Sequence, residues 1–507
     1  MDAENNTIPQ ASNGEPLFQR EYGHLIGGEW VGGSSPETIA LLNPYNGQTL
    51  AYIPAGKAED ARRAVEAAAA AQGSWGQSSP AQRKTLLDEI ARRLQARAAD
   101  YALLESLNNG KTLNESLMME LPACIEQLAM YAGATYALEG KTRDYPDAIG
   151  IVHREPIGVV AQIIPWNIPL LMVVTKIAPA LAAGCTVVLK PAESVCLSVM
   201  EFFREMNDII PPGVVNVLCG YGADVGEALV THPKVNKVAF TGSRPTAQAI
   251  VRYASTNLIP QTLELGGKSA NIVCPSADVD AAVEGAVMST IYNKGEVCLA
   301  GSRLFLHQSI TEEFLDKFKT ALGHVQLGDP AAPTTHMGPQ ASVVQRDKIL
   351  RYLELGQEEG ATLLCGGQRA SGPELDAGNF IQPTIFTNVR NDMRIAQEEI
   401  FGPVTCVLTW DDEASLLAQA NDSVYGLAGG VWTGELNQAH RLARGLNTGT
   451  VWVNRYFNIK TGMPLGGYKQ SGFGREFCLE TLEHYTQSKS VVINLQEGKI
   501  GLFDPQP

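Results

Sequence analysis

A cysteine and a carboxylate are the residues of this chain with the clearest chemical use. Cys298 lies in Gly295-Glu296-Val297-Cys298-Leu299-Ala300-Gly301-Ser302-Arg303, thirty-four residues after Glu264 in Leu263-Glu264-Leu265-Gly266-Gly267-Lys268. A thiol flanked by small residues can attack a carbonyl and carry the acyl group, and a carboxylate in a glycine-rich turn can activate the water that releases it. Either segment alone carries little weight, since most cysteines are small core residues. Together they predict two halves of one covalent mechanism.

Three further segments have the chemistry to hold a nicotinamide dinucleotide, which needs its pyrophosphate near a helix N-terminus and its riboses on charged or amide groups. Residues 187–193 read as a strand ending in Lys190 and Glu193. Glu193 would accept both adenosine ribose hydroxyls, with Lys190 donating to one, and its charge would repel a 2′-phosphate, which favours NAD over NADP. Residues 238–247 run a strand into Gly242-Ser243 and then Pro245, placed to begin a helix whose free N–H groups meet the phosphates. Residues 220–226 carry Gly222 and Gly226 after a third strand, but a tight turn needs glycine for backbone reasons alone.

These groups need a frame. Residues 1–20 are polar and read as a loose N-terminal extension. Residues 58–74 and 80–108 read as helices, the second opened by Ser79-Pro80. From about residue 140, short apolar runs at 157–164, 186–189, 214–218, 237–240 and 270–273 alternate with helical periods, which predicts parallel βαβ units and a doubly wound sheet. A second alternating region follows, with runs at 302–306, 404–408 and 450–453, and 488–495 is a strong strand pattern. The predicted fold is α/β: a Rossmann-type, parallel-sheet dinucleotide-binding domain over 21–140 and 157–266, an α/β catalytic domain over 267–475, and a small extension of strands at 141–156 and 485–500. Such strands leave open edges that a partner subunit can cover.

Bulk properties exclude several functions. A net charge of −15 without any basic block argues against nucleic acid or an anionic membrane as partner. Residues 157–174 carry no charge, but Pro165 and Pro169 interrupt them, so a buried strand and turn explain them better than a membrane span. The nine cysteines form no CxxC or metal-spaced cluster, so no metal is expected and the thiols are read as reduced. A polar start at residues 1–6, without a signal-peptide pattern, completes the expectation of a cytoplasmic protein.

With these residues in hand, the chain resembles the NAD(P)-dependent aldehyde dehydrogenase superfamily over roughly residues 20–495. The resemblance rests on Pro165-Trp166-Asn167-Ile168-Pro169, Lys190-Pro191-Ala192-Glu193, Phe240-Thr241-Gly242-Ser243, the Glu264 and Cys298 segments, Glu398-Glu399-Ile400-Phe401-Gly402-Pro403 and Pro464-Leu465-Gly466-Gly467-Tyr468-Lys469-Gln470-Ser471-Gly472. It implies catalytic roles for Cys298, Glu264, Asn167 and Lys190: a nucleophile, a base for deacylation, an amide that holds the oxyanion with the Cys298 N–H, and a cation on the cofactor side. Glu399 would hold the nicotinamide ribose and Phe401 would pack at the nicotinamide end. Ile163, Ile164, Pro165, Trp166, Lys190, Glu193, Gly222, Gly226, Phe240, Thr241, Gly242, Ser243, Leu265 and Gly266 complete the expected NAD contacts. Members of the family are typically homodimers or homotetramers and need no metal.

Departures from the family pattern bear on the substrate. Ile168, Thr175, Ile459 and Leu465 stand where the family often has aromatic rings, while Phe457 adds one nearby. Met172, Val297 and Leu299 complete the expected wall. A wider, aliphatic tunnel suggests an aromatic, terpenoid or medium-chain aldehyde. A charged semialdehyde would want a cation, for which Arg455 is the candidate. Glu296 replaces the usual Gln, and its carboxylate is expected to face away from the thiol. Two other readings are a CoA-acylating enzyme, for which Glu264 has no use, and a non-catalytic binding protein on the same fold.

Overall fold

The computed structural model describes residues 8–503; the sequence reading of residues 1–6 lies outside them. Five parallel strands form the centre of the first sheet, in the spatial order Val215–Val217, Thr186–Lys190, Val159–Ile163, Val235–Thr241, Gln261–Glu264. Nearly every residue in them is buried, the expected state for parallel strands covered on both faces. Helices Ala58–Gly76 and Pro169–Ala183 are among those that cover them.

In chain order the path runs from Val159–Ile163 outward to Thr186–Lys190 and Val215–Val217, then returns to add Val235–Thr241 on the other side. The strand order therefore reverses between Val159–Ile163 and Val235–Thr241. In doubly wound sheets, ligands bind in the crevice at the carboxyl ends of the two strands where this happens.

The second sheet has seven strands in the order Thr362–Cys365, Thr384–Thr387, Val404–Trp410, Arg303–His307, Ala270–Val273, Ala428–Trp432, Thr450–Val453. All its pairings are parallel except the first. Gln261–Glu264 ends the chain's path through the first sheet's parallel strands and Ala270–Val273 opens the second sheet, so residues 265–269 bridge the two.

A third, antiparallel sheet joins Thr486–Asn494 to Ala148–Pro156 along nine paired residues, with Lys141–Asp144 on the far side. Val492, Ile493 and Leu495 are exposed there. Among the described residues no helix is long and apolar enough to cross a membrane.

Three expectations need correction. Residues 8–20 are not loose: Leu17 and Phe18 are buried in the first core, and Ser12 bonds Asp100 through both its N–H (2.9 Å) and its hydroxyl (2.8 Å). The helix read over 80–108 breaks at Arg97 into Pro80–Ala96 and Ala98–Asn109, where the Arg97 guanidinium turns to pair with Asp100 and Glu205. The catalytic segment does not stay in its own sheet to residue 475. Gly472–Phe473 crosses back to pair with Leu263 and Glu264 at the edge of the first sheet.

Candidate active site

The switch point opens into a cavity of about 250 Å³. Pro165, Trp166 and Asn167 follow one strand into it, Thr241 ends the other with Gly242 and Ser243 after it, and Glu264 ends the strand Gln261–Glu264 with Leu265 and Gly266 on the bridge between sheets. Cys298, Glu399 and Phe401 close it from the second sheet's side. Twelve of the residues expected from sequence thus share one cavity.

Glycine makes the close approaches possible. A Cβ on Gly267 would stand 2.6 Å from the Cys298 carbonyl, and one on Gly266 would stand 2.4 Å from the Glu399 carboxylate. Glu399 is half-buried and accepts from the Gly267 N–H at 3.3 Å; desolvation raises its pKa, with Lys348 and that N–H opposing. Glu398, by contrast, turns outward to Arg394 and Tyr352. Trp166 and Phe401 meet edge to face at 5.4 Å.

The Cys298 thiol is pushed up to about 12 by burial and by the Glu399 and Glu264 carboxyls. Glu264 is itself held well above the usual carboxylate range by burial and by Glu476, with Lys176 and Arg475 pulling it down. Its Oε1 is buried without a hydrogen-bond partner, a carboxylate oxygen left free for a water. The side-chain amide of Asn167 donates to the Glu296 carbonyl at 2.8 Å, which uses one of its two N–H groups and leaves the other. The Glu296 carboxylate turns away from the thiol, accepting from the Ala341 N–H (3.1 Å) and pairing with Lys294 (3.2 Å).

A dinucleotide fits the polar wall. Ser243 caps the helix Arg244–Ala254, with Pro245 in its first turn, so the N–H groups of that turn face the phosphate position. Thr241 Oγ1 is buried and unpartnered beside it, and a Cβ on Gly242 would strike the Phe240 ring at 2.6 Å. Phe240, Ile163 and Ile164 sit behind the cavity wall as packing. Lys190, paired with Glu193 at 3.2 Å, ends the adjacent strand in register with Ile163. It is outside the cavity that holds Cys298, and its ammonium is committed to Glu193 and the Pro191 carbonyl (3.0 Å).

Other expected contacts do not reach the cavity. Gly222 and Gly226 form a turn after Val215–Val217, a strand separated from the switch point by Thr186–Lys190. Thr175 is fully buried on the packed helix Pro169–Ala183, where it donates to Gln127 at 3.2 Å. That helix is buried almost all round, so position 175 faces the neighbouring helix Leu121–Ala134 rather than a tunnel. Arg455 is exposed and lines no described cavity.

The remaining substrate-side residues do gather. Val297, Leu299 and Phe457 pack in one apolar cluster with Cys298, Tyr292, Met119 and Leu465, and Ile168, Met172 and Leu465 lie at the edge of the neighbouring core. Beyond Leu465 a groove of about 270 Å³ runs past Ile459, Met463 and Trp452, with Lys460 as its charged residue.

Sequence reasoning missed Gln345 and Lys348, which line the cavity from the helix Val343–Glu358. The Gln345 amide donates to the carbonyls of Ile400 and Phe401 and so holds the segment that carries Glu399. No motif marks them; their side chains matter because of where the helix packs. Tyr292 and Met119 were missed for the same reason.

Comparison with known proteins agrees with this geometry. The aldehyde dehydrogenase family model matches residues 30–491. An aldehyde dehydrogenase of Deinococcus radiodurans is 42% identical, with 96% of this chain and 95% of that protein aligned. Acetaldehyde dehydrogenase 2 of Cupriavidus necator is also 42% identical, over 96% of this chain and 97% of its own length. Betaine aldehyde dehydrogenase of Staphylococcus aureus, solved with NAD, superposes with a TM-score of 0.94 at 38% identity, covering 96% of this chain and 100% of that one. The chain belongs to the aldehyde dehydrogenase family and is an NAD-dependent oxidoreductase acting on an aldehyde.

Proposed function

We propose that Cys298, Glu264 and Asn167 carry the reaction and that the aldehyde is bulky and apolar. The Cys298 thiol gives its proton to water as the sulfur adds to the aldehyde carbon, which gives a thiohemiacetal. The free N–H of Asn167 and the Cys298 N–H hold the developing oxyanion. NAD, when bound, supplies the hydride acceptor for this class of reaction. Ser243 and the first turn of its helix orient the pyrophosphate, Glu399 the nicotinamide ribose and Glu193 the adenosine ribose. Glu264 then takes a proton from water as the oxygen attacks the acyl carbon, which releases the carboxylic acid and frees the sulfur.

The observation that carries the substrate reading is the apolar cluster around the thiol: Val297, Leu299, Phe457, Met119 and Leu465 offer hydrocarbon and no charge. A second reading, a cationic aldehyde, is favoured by the Staphylococcus relative, whose name gives betaine aldehyde. Recognition of a quaternary ammonium calls for aromatic faces; Tyr292 and Phe457, 5.2 Å apart, supply them in the thiol's cluster, and Trp452 supplies one in the outer groove, where Lys460 would repel the charge. Initial rates of NADH formation across aliphatic, aromatic, terpenoid and betaine aldehydes test this directly. A highest kcat/KM for betaine aldehyde or acetaldehyde would overturn the apolar reading.

The exposed valine, isoleucine and leucine of the third sheet further support a homodimer or homotetramer assembled on its edge. Sedimentation of the purified protein as a monomer at micromolar concentration would reject this.

A further inference from the structure

The segment leading into Cys298 is held in an unfavourable backbone conformation. Asn293, Lys294 and Gly295 take three successive left-handed conformations, with φ of 45°, 60° and 73°. Glycine suits its position, since a Cβ there would meet the Gly402 carbonyl at 2.2 Å. Asparagine tolerates this region better than most residues, but Lys294 carries a side chain that disfavours it, so the surrounding structure must fix it.

A buried ion pair does so. The Lys294 ammonium, wholly buried, donates to the Asn109 carbonyl (3.2 Å), to the Asn109 side-chain oxygen and to the Asn293 side-chain oxygen (2.8 Å). It pairs with the equally buried Glu296 carboxylate at 3.2 Å. Burial opposes both charges, lowering Lys294 and raising Glu296 to about 7, so each charge depends on the other.

The two amides whose oxygens hold Lys294 turn their N–H groups to Asn167. Asn109 and Asn293 donate to the Asn167 main-chain carbonyl at 3.2 and 2.8 Å. The Asn167 side chain in turn donates to the carbonyl of Glu296, the residue whose carboxylate Lys294 holds. The ammonium thus fixes which way both amides point, and the carboxylate fixes the carbonyl that aims the Asn167 amide.

We propose that the Lys294–Glu296 pair is a positioning device for catalysis: acting through Asn109, Asn293 and the Glu296 carbonyl, it sets the direction of the Asn167 amide and hence the strength of the oxyanion site beside Cys298. This rests on the reading of Asn167 as an oxyanion donor. Neither residue of the pair touches substrate.

Acylation by 4-nitrophenyl acetate tests it without any cofactor: the Cys298 sulfur takes the acetyl group, 4-nitrophenolate leaves, and the thiol proton goes to water. Asn167→Ala is expected to slow acylation by about 10²–10³-fold. Lys294→Gln and Glu296→Gln are each expected to slow it by about tenfold or more, with the aldehyde KM unchanged. The double variant K294Q/E296Q, in which two neutral amides can bond each other, is expected to recover most of the rate. In the Asn167→Ala background the same changes should have no further effect. Equal losses in both backgrounds, or full activity of the single variants, would overturn the proposal. If the single variants fail to fold, Lys294→Arg keeps the charge but alters its reach: an unchanged acylation rate there also overturns it. An Asn167→Ala enzyme with full activity would instead bring down the oxyanion reading itself, and the positioning role with it.

Discussion

The two sides of Cys298 are built by different means. Toward the cofactor, Thr241, Gly242, Ser243, Gly266 and Glu399 stand at strand ends or in tight turns, and the last four are each fixed by a hydrogen bond or by a close approach that glycine permits. Toward the substrate, Val297 and Leu299 flank the thiol, Phe457 and Leu465 come from a distant stretch of chain, and they share only apolar contact. A polar site depends on a few directional groups, whereas an apolar site depends on the shape that many side chains leave between them. Substitutions on the polar side should therefore act singly and strongly, and those on the apolar side by size.

The thiol common to both sides gives the largest effect. Cys298→Ala should abolish aldehyde oxidation and ester cleavage together, because both need the sulfur. Residual ester cleavage in this variant would mean that another group does that chemistry. The wild-type thiol, raised to about 12, should also react with iodoacetamide faster as pH rises, by about tenfold per pH unit across the neutral range, since only the thiolate attacks. A flat rate would show that the thiol is ionised already.

Glu264→Gln comes next, with kcat expected to fall by about 10²–10⁴-fold while a rapid burst of NADH remains, because the acyl group forms but is not released. Burial and Glu476 raise the Glu264 carboxyl, and a base works only after losing its proton. Deacylation should therefore speed up as pH rises through a value above the ordinary carboxylate range, and that limb should vanish in the glutamine variant. A limb that persisted would assign it to another group.

The apolar side should respond more gently. Leu465 packs against the thiol's cluster and also lines the groove past Ile459, so Leu465→Trp would fill space where the two meet. It is expected to lower kcat/KM for bulky aldehydes by about tenfold or more while sparing acetaldehyde. Equal losses for both would mean that Leu465 supports the fold rather than bounding that space.

The same contrast explains what the sequence made legible. Glu264 and Cys298 were legible as a pair because the required chemistry limits residue type and glycine marks the turns around them, whereas Asn167 was singled out only through the resemblance carried by Pro165-Trp166-Asn167-Ile168-Pro169; all three line one cavity. The doubly wound parallel sheet was legible in the alternation of apolar runs and helical periods, but the reversal of strand order that brings Trp166 and Ser243 to one cavity was not, because periodicity does not say which strands pair. Thr175 was misread because position in a helix does not reveal which neighbour the helix packs on. The return of Gly472–Phe473 to the first sheet was missed because a two-residue strand has no period to read. Lys294 was overlooked beside Glu296, since an ordinary lysine gives no sign that it will be buried without solvent.

Gln345 provides the smallest effect and the sharpest test of the polar side, because it lies in no motif. Its amide bonds the Ile400 and Phe401 carbonyls, and Phe401 sits at a φ of 64°, where a phenylalanine is disfavoured and must be held. Glu399, one residue before that held pair, is the group assigned to the nicotinamide ribose. Loss of the amide in Gln345→Ala removes both hydrogen bonds, each worth about 1 kcal/mol net, from the backbone beside Glu399 rather than from NAD itself, so the KM for NAD should rise by about 3- to 10-fold with cofactor-free ester cleavage unchanged. If ester cleavage fell as well, Gln345 would be acting on the thiol's surroundings, and the separation between the two sides of Cys298 would not hold there.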